Sequence, residues 1–124
     1  MVDEVPYDWL FPQVSAVVHH GGAGTTGLAL RAGVPQIITP IIGDEAFWAH
    51  RMAGLGVSPT PLPIRKLTAE TLARALHTVV SAPQYREHAA AIAQTIRQEN
   101  GLARATDFLE RRLDLPVRDR SVGA

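Results

Sequence analysis

The sequence predicts an α/β fold, part of a doubly wound parallel sheet followed by a run of helices. Three observations carry this expectation. Ser15-Ala16-Val17-Val18-His19 and Gln36-Ile37-Ile38-Thr39 are short apolar or β-branched runs without polar alternation, so both read as strands buried on two faces. A segment of helical composition separates them. The last third of the chain is helical in character throughout.

Each element follows from local chemistry. The first strand is entered from a loop and closed by glycines. Residues 25–32 have helical composition and stop at Gly33, with Pro35 close behind. Pro40 ends the second strand. Residues 46–55 recur at helical period, with Phe47, Met52 and Leu55 available to face the core, and Gly56 closes them. A third short strand is expected at Val57-Ser58. Pro59-Thr60-Pro61-Leu62-Pro63 must then be an extended loop, because proline has no ladder donor. Thr68 caps a helix running to about Val80, with Glu70 placed favourably in its first turn. Pro83 opens an alanine-rich helix to about Glu99, and Asn100-Gly101 breaks it. Residues 102–113 form a last helix with Leu102, Ala105, Phe108 and Leu109 on one face. Residues 1–115 are read as one domain and 116–124 as a disordered tail. Three strands are few for a fold whose halves usually supply about six, so part of the domain is expected to lie elsewhere.

Bulk properties exclude several classes of function. The chain has 124 residues, enough for one core and too few for two. Hydrophobic residues make up 46% and charged residues 19%, a globular composition. Twelve basic residues balance twelve acidic ones, which leaves no electrostatic footprint for nucleic acid. The absence of cysteine removes disulfides, thiolate metal sites and a cysteine nucleophile. No apolar run approaches the roughly 20 residues of a bilayer span. The acidic start, Met1-Val2-Asp3-Glu4, is unlike a signal peptide. The expected location is the cytoplasm.

The informative segment is His19-His20-Gly21-Gly22-Ala23-Gly24-Thr25-Thr26, which joins a buried strand to a helix start. A helix N-terminus exposes backbone N–H groups without internal partners and attracts phosphate. Glycines let the backbone approach such a ligand and adopt positive φ. Thr25 and Thr26 can add hydroxyl donors, and His20 can donate from a ring nitrogen without any metal. A tight turn that binds nothing is the plain alternative. A sharper one is the dinucleotide fingerprint, because Gly22-Ala23-Gly24-Thr25-Thr26-Gly27 matches G-x-G-x-x-G and Asp44 follows about twenty residues later. That would make the chain part of an NAD-dependent oxidoreductase. Against it, Asp44 lies beyond Pro40-Ile41-Ile42-Gly43 instead of at the strand end. The paired histidines also put bulky groups where that turn wants small ones.

The same residues carry a resemblance. The turn, then Arg31-Ala32-Gly33-Val34-Pro35-Gln36, Pro40 and Gly43-Asp44-Glu45-Ala46-Phe47-Trp48, resemble the donor-binding signature of UDP-glycosyltransferases. The likeness is to the sterol 3β-glucosyltransferase-like and antibiotic glycosyltransferase group, and Val5-Pro6-Tyr7-Asp8-Trp9-Leu10-Phe11 resembles the segment preceding that signature. It runs from about Val5 to Leu113. The resemblance implies the GT-B architecture, in which two Rossmann-like domains face a cleft, and this chain would be the later part of the C-terminal one. It implies that His20 contacts the diphosphate and that Gly22, Ala23, Gly24, Thr25 and Thr26 line it. Val5 would meet uracil through its backbone, and Asp44 with Glu45 would bind sugar hydroxyls. The family usually has Asp-Gln where this chain has Asp44-Glu45. An ionised glutamate only accepts hydrogen bonds, so a neutral hexose is expected and a sugar carboxylate disfavoured.

The implied chemistry is an inverting transfer from a UDP-sugar, with no cofactor and no metal. The acceptor would be lipophilic, sterol-like or a natural product. The general base and acceptor pocket belong to the N-terminal half, supplied in cis or in trans, so no catalytic residue is assigned in this chain. That half would also carry any peripheral membrane contact. His19 is expected to serve a structural or donor-side role. His50, His77 and His88 lack zinc-ligand spacing. Trp9 is expected in core packing, Phe47 and Trp48 in core or cleft wall, and Arg111-Arg112 at a solvated helix end. The last helix would present its apolar stripe to the missing half. A non-catalytic nucleotide-sugar-binding subunit remains the third reading.

Overall fold

The computed structural model describes residues 4–113. The expected tail therefore lies outside the described residues. The chain opens with a single helical turn, α1 (Tyr7–Leu10), and a 3-10 turn at Phe11–Gln13. Then follow β1 (Val17–His19), α2 (Ala23–Ala32), β2 (Gln36–Ile38) and α3 (Glu45–Gly54). After a 3-10 turn at Ile64–Lys66 come α4 (Ala69–Ser81), α5 (Pro83–Gln98) and α6 (Gly101–Leu113).

β1 and β2 pair in parallel with Val17 opposite Gln36 and His19 opposite Ile38. The helix stops act as expected. Gly33 takes φ +71, and its N–H and that of Val34 bond back to α2. Thr68 accepts from the Thr71 amide at 3.1 Å, while the Thr71 hydroxyl accepts from the Thr68 amide at 2.8 Å, a reciprocal cap.

The third strand is a correction. Val57 and Ser58 are buried beside β2, and the Val57 carbonyl accepts from the Gln36 amide at 2.9 Å. Leu62 then donates to Ile38 at 3.0 Å, but no ladder forms between these two bonds. Pro59 and Pro61 have no N–H to offer, so the segment occupies a strand's place with two isolated bonds instead of a continuous ladder. The one-turn helix at Tyr7–Leu10 was not foreseen either; it follows Pro6 and is fastened by stacking of Tyr7 on Phe11 at 4.8 Å.

The core has two parts, and α2 contributes to both. Ile38, Ala49, Met52, Val57 and Ala89 form one, with Leu30, Trp48, Leu55 and Ile92 against it. Phe11, Ala29 and Val34 form the other. Met52 and Leu55 thus face inward as expected, whereas Trp9, expected in core packing, is 61% exposed, and Phe47, expected in core or cleft wall, is 64% exposed and so lies outside the core. α5 lies along α2, and small side chains set that approach. Ala89 and Ala93 are fully buried, and a Cβ on Gly33 would stand 3.2 Å from Ala93 Cβ. Arg86 reaches the carbonyls of Val14 and Ser15 at 2.9 and 3.1 Å, which ties α5 to the entry of β1. Overpacking such a contact costs about 1–3 kcal/mol. Ala93→Leu is therefore expected to lower stability by about that amount, read as a lower urea midpoint with unchanged slope.

Candidate functional site

The turn between β1 and α2 is built around Gly21. Its φ is +103, and a Cβ there would lie 2.7 Å from Ile38 Cγ2 and 3.1 Å from the Glu45 carbonyl. The backbone is pressed between β2 and the start of α3, so only glycine fits. Gly22 then caps α2 without any side-chain cap. The first α-helical bond runs from the Thr26 amide to the Gly22 carbonyl at 3.0 Å. The amides of Ala23, Gly24 and Thr25 precede that bond and face out of the positive helix end. Apart from its chain neighbours and the helix's own backbone, no atom lies within 4 Å of where a Gly24 Cβ would stand, so this end opens onto free space.

The two histidines have different environments. His19 Nε2 lies 2.7 Å from Gln36 Oε1, and its Nδ1 accepts from the Gly21 amide at 3.1 Å. A backbone amide only donates, so Nδ1 carries the lone pair and Nε2 the proton. Burial holds the His19 pKa below 6.5; the neighbouring His20 adds to this and the Gln36 bond opposes it. With both ring nitrogens engaged inside the fold, His19 has a structural role. His20 is half exposed, and its ring stands over Gly22, where a Cβ would meet Nε2 at 2.6 Å. The same nitrogen lies 3.9 Å from Glu45 Oε1.

Both carboxylates hold partners within the chain. Asp44 Oδ2 accepts from the Trp48 indole at 2.9 Å, and Asp44 itself is exposed. Glu45 Oε2 accepts from the amides of Ile42 and Ile41 at 2.9 and 2.6 Å. These bonds, Ile42 first, hold the Glu45 carboxyl below its ordinary pKa. Glu45 therefore closes the loop after β2 and turns its other oxygen to His20.

The structure thus brings His20, Gly22, Ala23, Gly24, Thr25 and Glu45 to one rim, with Asp44 beside Glu45. Thr26 is a correction. It is 1% exposed, its hydroxyl is enclosed without a partner, and its amide is already bonded, so it offers a groove ligand nothing. Val5 sits half-buried ahead of α1, which packs against α2. A cavity of about 280 Å³ lies between that segment and the rim, with Tyr7, Phe11, Val18, His19 and Thr25 among its walls. A second, of about 430 Å³, lies beyond the loop after β2, between Ile41, Ile42, His50 and Arg65. Sequence reasoning passed over Gly21 as a specific requirement and Gln36 as a partner of His19. A polar residue inside an apolar strand was the one available signal for the latter.

Over residues 1–103 the chain matches the family described as Erythromycin biosynthesis protein CIII-like, C-terminal domain. The chain belongs to that family. Sterol 3-beta-glucosyltransferase UGT80B1 of Arabidopsis thaliana is 42% identical over 123 residues, which are 98% of this chain and 20% of the relative. The O-mycaminosyltylonolide 6-deoxyallosyltransferase of Streptomyces fradiae is 38% identical over 109 residues, 88% of this chain and 26% of the relative. Among solved structures, the glycosyltransferase of kitacinnamycin superposes with a TM-score of 0.80 at 29% identity, covering 88% of this chain and 28% of the other. Glycosyltransferase VinC, solved in complex with dTDP, gives 0.67 at 36% identity, covering 75% and 23%. The α/β fold class and the kinship with sterol and antibiotic glycosyltransferases are as the motifs implied. The chain spans about a quarter or less of the length of these relatives.

The half-buried His19 makes stability depend on pH. Its folded pKa lies below the 6.5 of the free side chain, so the unfolded chain takes up the proton first. Its contribution is complete above about 6.5 and is lost as pH falls from there through the lowered folded value. The melting temperature of the parent chain should drop more steeply below that pH than the melting temperature of His19→Gln. Parallel profiles for the two proteins would refute this.

Proposed function

We propose that this chain binds the nucleotide sugar of an inverting glycosyl transfer and serves the leaving-group side of that reaction. The observation that carries the proposal is the uncapped start of α2, open at Gly24 and flanked by the His20 ring. An acceptor hydroxyl attacks the anomeric carbon, the bond from that carbon to the diphosphate oxygen breaks, and the nucleoside diphosphate leaves. Negative charge grows on the diphosphate as the bond breaks. Donors already aimed at it stabilise the transition state more than the ground state. That work falls to His20 and to the amides of Ala23, Gly24 and Thr25, with Gly22 and the Thr25 hydroxyl beside them. No metal or cofactor enters this scheme.

The remaining assignments follow the groove. Val5 meets the base through its backbone, and the cavity between Tyr7 and Thr25 has room beside it. Asp44 uses its second oxygen for a sugar hydroxyl. Glu45 puts a negative charge beside the sugar and favours a neutral hexose over one bearing a carboxylate. The complex of VinC with dTDP supports a nucleoside diphosphate ligand, so uridine and thymidine forms are both candidates.

The general base comes from elsewhere, since His19 has no free nitrogen. An acceptor-binding half, joined in cis or supplied in trans, would bring it together with a pocket for a lipophilic hydroxyl compound. Two surfaces support such a partner. The alternation of a strand turns the amide and carbonyl of Val18 away from β2, towards an edge without a further strand among the described residues. On α6, Leu102, Phe108, Leu109 and Leu113 are all exposed, a stripe larger than scattered surface apolars require.

Calorimetry with UDP, dTDP, UDP-glucose and NAD tests the reading. Binding of a nucleoside diphosphate without NAD is expected; NAD alone would favour a dinucleotide oxidoreductase. Gly24→Ala sharpens the test. Its Cβ meets no protein atom, and alanine improves helix propensity by up to about 1 kcal/mol. Stability should hold or rise while nucleoside diphosphate affinity falls about tenfold, the value of one charge-assisted hydrogen bond. Product formation when the acceptor-binding half is added separates a transferase from a non-catalytic binding subunit.

A further inference from the structure

Gln36 lies wholly inside the fold, at 0% exposure, where no groove ligand can touch it. A buried primary amide is costly unless both its ends are paired. Its Oε1 meets His19 Nε2 at 2.7 Å, and its Nε2 reaches the Thr26 carbonyl at 3.4 Å and Met52 Sδ at 3.9 Å. One side chain therefore joins β2 to the end of β1, the first turn of α2 and the last turn of α3.

We infer that Gln36 is a positioning residue of the donor site: its amide oxygen fixes His19 as the Nε2–H tautomer, whose bare Nδ1 anchors the Gly21 amide and thereby the turn carrying the diphosphate donors. This rests on the donor-site reading above. The argument is one of polarity. An amide oxygen only accepts, so Nε2 must donate. A neutral imidazole has a single N–H, so Nδ1 is left with its lone pair. The Gly21 amide only donates and finds that lone pair at 3.1 Å. Every link permits one direction, and the chain ends at the residue whose φ of +103 sets the path into Gly22 and α2. Without the Gln36 oxygen the ring is free to carry its proton on Nδ1. Two N–H groups would then face each other at Gly21, and the turn would have to move. The amide nitrogen of Gln36 meanwhile reaches the Thr26 carbonyl, so the same side chain also touches the first turn of α2.

The test uses the full chain with Gln36→Leu, which removes the acceptor, and Gln36→Glu, which replaces it with a carboxylate that draws a second proton onto the ring. Nitrogen–proton correlation spectra of the imidazoles report the His19 tautomer, and calorimetry with UDP and dTDP reports the site. Circular dichroism reports folding. The parent should show Nε2–H at His19. Gln36→Leu should lose that single tautomer and bind the diphosphates about tenfold more weakly at unchanged helix content. Gln36→Glu should show a doubly protonated ring and a comparable loss. An Nδ1–H tautomer in the parent overturns the inference, even if a variant fails to fold. So does full affinity in Gln36→Leu once the tautomer is lost. If the parent binds neither diphosphate, the donor reading fails and the positioning role falls with it; the tautomer still decides whether the relay from Gln36 to Gly21 exists.

Discussion

The close approach at Gly21 is the constraint on which the rest of the molecule depends. The turn leaves β1, passes within contact of Ile38 on β2 and of the Glu45 backbone on α3, and delivers the chain to the start of α2. A side chain at that point would push three elements apart at once. Because the approach is tight, α2 begins at the end of the sheet with its first amides directed outward. The open rim at the start of α2 is thus a by-product of close packing underneath it. The same contact places the Glu45 carboxylate beside His20, so the loop after β2 and the turn before α2 share one support.

Polar groups beneath the rim divide the labour. His19 and Gln36 hold the scaffold together, whereas His20 and the first amides of α2 face outward. Adjacent histidines of identical chemistry face different ways: His19, the last residue of β1, turns inward, and His20, just beyond the strand, turns out. Glu45 shows the same economy: two backbone amides hold one of its oxygens, and the other stays beside the groove.

Much of this was legible in the residues. Gly33 and Thr68 mark helix ends because their conformations and hydrogen bonds are local, and both behave as their neighbours in sequence imply. The glycine-rich turn was legible for the same reason. What failed depended on distant parts of the chain. Val57-Ser58 has strand composition, but whether a ladder forms is decided by the donors of residues several positions on. Phe47 and Trp9 are apolar, and apolar residues are common on protein surfaces, so type alone did not place them. Thr26 follows Thr25 directly, and only the rotation of the helix makes one accessible and the other enclosed. Gln36 takes its meaning from a histidine across the sheet, which no local pattern encodes.

The proline-rich stretch after Val57 has a consequence for assembly. Pro59, Pro61 and Pro63 line the flank next to β2 with residues that cannot donate to an incoming strand. That flank is chemically blunted, whereas the opposite one, at Val18, keeps its backbone groups. Among the described residues, the sheet can therefore be extended by strand pairing in one direction only. Strand addition is left to the Val18 margin, so copies of this sheet cannot chain together through both of its edges.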